Sequence, residues 1–106
     1  MNIVLNRNNF SEKTYHYTFS EHSKTSVIYA VRRIKFTIDE NTIVQRKKTF
    51  SFEFDHSWRY GKIILSEISS ESIRVKVRVI KKLTLRTREI DVENMILNFI
   101  QEYLEK

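Results

Sequence analysis

The sequence predicts an α+β fold: a curled antiparallel sheet of five to six strands, with one C-terminal helix packed on its apolar face. Three observations predict it. Apolar and polar residues alternate in several stretches, most cleanly in SIRVKVRVIKKLTLRTR at 72–88. Residues 91–105 instead carry apolar side chains at helical spacing. One glycine (Gly61) and no proline leave the turns to Asn, Asp and Ser.

Taking the elements in order, IVL at 3–5 is a short candidate strand. The stretch 14–19, TYHYTF, places Tyr15, Tyr17 and Phe19 on one strand face, where core is the expected role. SVIYAVRRIKFTI at 26–38 and TIVQRKKTFSFEF at 42–54 read as a long hairpin across Asp39-Glu40-Asn41, with Asn41 as its left-handed residue. A three-residue loop sets Phe36 opposite Val44, Ala30 opposite Phe50 and Ile28 opposite Phe52, keeping the apolar faces together. It also sets Arg32 opposite Lys48 and Arg33 opposite Lys47, with Arg46 beside them, a cationic girdle that an anion would relieve. A strand at 60–68 follows, then a turn at SSES, then the basic ribbon at 72–86.

In that ribbon Ile73, Val75, Val77 and Val79 point one way, while Arg74, Lys76 and Arg78 point the other. The expected helix has Asp91 as N-cap, and Ile90 and Met95 as a hydrophobic staple. Val92, Met95, Ile96, Phe99, Ile100, Tyr103 and Leu104 form its apolar stripe, with Glu93, Asn98, Glu102 and Glu105 facing outward.

Composition narrows the function. The 106 residues, 41% hydrophobic and 12% aromatic, suit a single folded domain over 1–106. No cysteine is present, which removes disulfides and thiolate metal sites and suits a reducing, cytoplasmic setting. No apolar run is long enough to span a membrane, and MNIVLNRNNF is too polar for a secretory signal. The net charge of +6 is uneven, with 18 Lys/Arg against 9 Asp/Glu in residues 1–90 and 1 against 4 in residues 91–106. Such a balance points to anionic partners.

The ribbon at 72–88 holds seven Lys/Arg and no acid. A row like this tracks a phosphate backbone, although exposed cationic strands also serve solubility and edge protection. Aromatics sit beside charge in FDHSWRYGK, where Trp58 and Tyr60 flank Arg59 and could stack on bases. His16, His22 and His56 lack metal-ligand spacing, and neither a phosphate loop nor a nucleophile motif is present, so no metal or cofactor is expected.

The expected function is therefore non-catalytic binding of nucleic acid with weak sequence preference, single-stranded DNA or RNA being favoured. The residues expected to carry it are Arg32, Arg33, Arg46, Lys47, Lys48, Arg59, Arg74, Lys76, Arg78 and Lys82, with Trp58 and Tyr60 as stacking residues. The alternative is an interaction module of a phage or mobile element whose basic face meets an acidic protein. A small ribonuclease using His56 is a third reading. A homodimer would bury apolar surface that one helix leaves on a long sheet. In its order of antiparallel strands followed by a C-terminal helix, the expected architecture resembles the modules of Whirly-type single-stranded-DNA binders and of pleckstrin-homology-like domains, without a motif of either.

Overall fold

The computed structural model describes residues 10–81 and 88–106. The candidate strand at 3–5, the end of the basic ribbon and Lys82 lie outside the described residues. The elements run β1 (Ser11–Tyr15), α1 (Glu21–Arg33), β2 (Thr37–Gln45), β3 (Thr49–Asp55), β4 (Arg59–Ser69), β5 (Ser72–Lys81) and α2 (Glu89–Leu104). The strands form one open antiparallel sheet in the order β1-β5-β4-β3-β2. The expected α+β class, antiparallel sheet and C-terminal helix are all present.

The principal correction is α1. The alternation over 26–38 predicts a strand, yet 21–33 are helical. Ser20 is extended and accepts from the Ser23 N–H at 3.4 Å, while the Ser20 N–H donates to Ser23 Oγ at 2.8 Å, closing a capping box. Glu21 in the first turn and Arg32 and Arg33 in the last complement the helix dipole. The buried residues Ser23, Ser26, Val27, Ala30 and Val31 recur with a 3.6-residue period. A strand would have buried Ile28, Ala30, Arg32 and Ile34, putting a cation in the core. The β-branched valines cost at most ~0.7 kcal/mol each in helix propensity. Burying each contributes about 1.5–3 kcal/mol, so packing wins.

The helix ends where Lys35, at φ 72°, turns the chain left-handed and donates its N–H to the Arg32 carbonyl at 2.9 Å. The expected hairpin register disappears with the strand. Phe36, Ala30 and Ile28 do not pair with Val44, Phe50 and Phe52, and the helix after β1 breaks the strands-then-helix order. Thr37–Asp39 pair instead with Asp55–Glu53, and Val44 and Gln45 with Ser51 and Phe50. Between these lies a bulge in which Asp39 Oδ1 accepts from the Asn41 N–H at 3.1 Å. Thr42 Oγ1 accepts from the Glu53 N–H at 2.7 Å and replaces a ladder bond. Asp39-Glu40-Asn41 is thus an irregularity inside an edge strand rather than the loop between two strands, and Asn41 is not left-handed.

Alternation does hold in β3, β4 and β5. Phe50, Phe52, Phe54, Ile63, Leu65, Ile73, Val75, Val77 and Val79 are buried on one face. They share a core with Tyr15, Val27, Ala30 and Val31 and with Ile96, Leu97, Ile100 and Leu104. Both helices therefore cover the same face, and among the described residues nothing covers the other, the open face. Tyr17 and Phe19, beyond the end of β1, pack half-buried against this core. The expected turn at SSES joins β4 to β5, closed by Ser69 opposite Ser72.

Helix α2 begins earlier than expected, with Arg88 at the N-cap and Asp91 inside the first turn, its carboxylate accepting from the Arg88 guanidinium at 3.2 Å. Its buried stripe is also rotated. Met95 is exposed rather than buried, Phe99 and Tyr103 are half-buried, and Glu93 is fully buried rather than outward. The reason is a polar latch. Glu93 Oε2 accepts the Val79 N–H at 2.7 Å, and Oε1 accepts the Ser11 hydroxyl. Val79 lies two residues past the last pair of the β1–β5 register, and there the carboxylate satisfies its backbone N–H. Among the described residues, no helix is long and apolar enough to cross a membrane.

Candidate nucleic-acid interface

The open face of the sheet is built from β4 and β5 outward. Alternation along β5 turns Arg74, Lys76 and Arg78 away from the helices, about 7 Å apart from one to the next. On β4, Lys62 pairs with Arg78, Ile64 with Lys76 and Ser66 with Arg74. The sheet register thus brings Lys62 into the basic row, a residue that the sequence pattern alone does not place there. Tyr60, next to Ile80, is 45% exposed on the same face, and Trp58 in the adjoining turn is 51% exposed. Arg78 lies 5.0 Å over the Phe10 ring, and Arg74 Nε is 3.6 Å from Glu12 on β1. The latter joins two half-exposed side chains at a long distance and contributes little to stability.

The Trp58 turn is held by His56. Its Nδ1 accepts the Trp58 and Arg59 N–H groups at 3.0 and 3.2 Å. Its ring stacks on Phe36 at 4.3 Å between centroids. The imidazole that suggests a ribonuclease in the sequence therefore braces a turn from which Trp58 projects, and Trp58 is not tucked into the core. Arg59 is half-buried next to Lys81, which reaches Glu89 at 3.7 Å.

The rest of the expected set separates. Arg46, Lys47 and Lys48 are exposed in the β2–β3 turn, at the end of the sheet opposite Trp58. Arg32 and Arg33 lie on α1, so the girdle of Arg32 against Lys48 and Arg33 against Lys47 does not form. Arg33 has a different task. Its guanidinium sits 4.0 Å over Phe99 and donates to Glu102 at 3.0 Å, a hydrogen bond that holds its pKa above the ordinary arginine value. With the His22 contact to the Leu104 carbonyl at 3.1 Å, it fastens α1 to α2.

A second feature emerges only from the pairing. Glu53 and Asp55 on β3 and Asp39 on β2 share the open face with the basic row. They border a hollow of about 310 Å³ together with Tyr60, Gly61 and Phe54. The face is therefore split, positive along β5 and β4 and negative along β3 and β2. These acids are scattered in sequence, and only the observed register places them together. The chain matches no protein-family model, and no curated protein matches its sequence.

Proposed function

We propose that the chain is a small non-catalytic nucleic-acid-binding module whose contact surface is the positive half of the open sheet face. The carrying observation is the convergence of Arg74, Lys76, Arg78 and Lys62 on adjacent register positions of β5 and β4, on the side the helices leave uncovered. Cations spaced in this way neutralise successive phosphates and release their counterions. Tyr60 and Trp58, at one end of the row, offer ring faces on which bases stack with little regard to sequence. Arg46, Lys47 and Lys48 extend the positive surface beyond the other end.

The acidic half of the same face favours a second reading, a protein-interaction module, because a mixed-charge surface suits a protein better than a polyanion. A salt titration of binding to mixed-sequence single-stranded DNA, duplex DNA and RNA tests the first reading. Affinity that falls steeply with salt for at least one of them supports it. No binding at low salt to any of the three rejects it and leaves the protein partner.

A further inference from the structure

We propose that the open sheet face docks on a second copy of this chain, through a row of charges that is its own complement. At one level of the register the sheet reads Arg78, Lys62, Glu53, Asp39 from β5 across to β2. All four point away from the helices, because Val77 and Val79, Ile63, Phe52 and Phe54, and Ile38 on either side belong to the core. The order is two cations followed by two carboxylates.

A two-fold axis parallel to the strands, between β3 and β4, lays β5 over the second copy's β2 and β4 over its β3. Arg78 then meets Asp39 of the second copy and Lys62 meets its Glu53, each contact occurring twice. A long cation facing a short carboxylate suits the ~10 Å separation of packed sheets. The two adjacent levels agree, with Tyr60 over Asp55, Ile64 over Ser51 and Lys76 over Val44. At the far end, where the Arg46 N–H pairs with Thr49, Arg74 comes over Arg46 and the two long side chains splay into water. A two-fold axis across the strands would set cation on cation, which defines the orientation. Edge-to-edge pairing is the other common route to a sheet dimer, and the bulge in β2 opposes it on that side.

Four strands by some eight residues present roughly 500 Å² per copy, less than the ~800 Å² of a standard interface. The dimer is therefore weak and salt-sensitive, and a polyanion on the positive half displaces it. The proposal does not depend on the nucleic-acid reading, since it concerns the protein alone.

Sedimentation equilibrium of the full chain at low salt tests it. The wild type should show a concentration-dependent dimer that dissociates as salt is added. Lys62→Glu and Glu53→Lys, each checked by a melting curve, should each weaken self-association by about tenfold or more, because the exchanged charges meet their like. An equimolar mixture of the two variants should restore it, since both exchanged contacts then again join opposite charges. A mixture no more associated than its components overturns the proposal. If either variant fails to fold, the wild type still decides: a chain monomeric at every concentration, or a dimer indifferent to salt, overturns it equally.

Discussion

Replacing Gly61 with alanine tests the packing that positions the open face. Gly61 lies on the covered side of β4, opposite Val79 on β5 and Phe54 on β3. A Cβ there would stand 2.4 Å from the Arg78 carbonyl oxygen and 2.7 and 2.9 Å from two atoms of the Phe54 ring. The ring can rotate away, but the carbonyl belongs to the backbone of the central β4–β5 ladder and can yield only by spreading the strands. Overpacking of this kind costs typically 1–3 kcal/mol, and a backbone neighbour places Gly61→Ala at about 3 kcal/mol. Against a total stability of ~5–15 kcal/mol this is a large share. In a domain of this size it lowers Tm by roughly 10–20 °C. Thermal melts followed by circular dichroism would read it. Adding Phe54→Leu should not restore stability, because the carbonyl clash remains. A Gly61→Ala variant melting within a few degrees of wild type would refute the described packing of β3, β4 and β5.

Two further predictions concern buried polar groups. Glu93→Ala orphans the Val79 N–H and the Ser11 hydroxyl and opens a cavity, so it should cost about 3–5 kcal/mol in urea unfolding. Glu93→Gln should cost less, and an alanine variant destabilised by under ~1 kcal/mol would remove the latch from the account. Burial pushes the Tyr15 phenol well above its ordinary value near 10, while its hydroxyl donates to the Leu97 carbonyl at 2.6 Å. The unfolded chain then releases this proton first, so Tyr15's contribution is complete below about pH 10 and falls as pH rises beyond it. Tyr15→Phe should abolish that share of the alkaline destabilisation, and identical pH dependence of the two proteins would contradict it.

Legibility in the sequence follows the strength of each periodicity. β5 is readable because Ile73 through Val79 alternate without a break against cations, and β4 because the apolar run Ile63-Ile64-Leu65 is bounded by Lys62 and Ser66 and holds several β-branched residues. α1 is hidden by its β-branched and aromatic residues. The decisive signals are the Ser20–Ser23 capping pair and the spacing of Val27, Ala30 and Val31, which compete with a strand-like composition. α2 is readable in extent, but its rotation depends on Glu93, whose burial follows from a strand end that no local pattern reveals. The same holds for the site. Arg74, Lys76 and Arg78 can be assigned to one face from β5 alone, whereas Lys62, Glu53 and Asp39 join them only through cross-strand pairing. The bulge at Asp39–Val44 then shifts part of that pairing by a step set by side-chain hydrogen bonds rather than by hydrophobic pattern.

The measurement that bears most directly on the proposed function is the salt dependence of nucleic-acid binding by wild type and by Arg74→Gln/Lys76→Gln/Arg78→Gln. All three side chains face away from the core, so the variant should fold with nearly unchanged stability. If they neutralise phosphates, affinity should drop about equally for every sequence. The slope of log affinity against log salt should fall by roughly 0.7–0.9 for each phosphate no longer neutralised, or about 2–3 in total. A folded triple variant that binds with unchanged affinity and slope would contradict the account and leave the positive half of the sheet as a solvated surface.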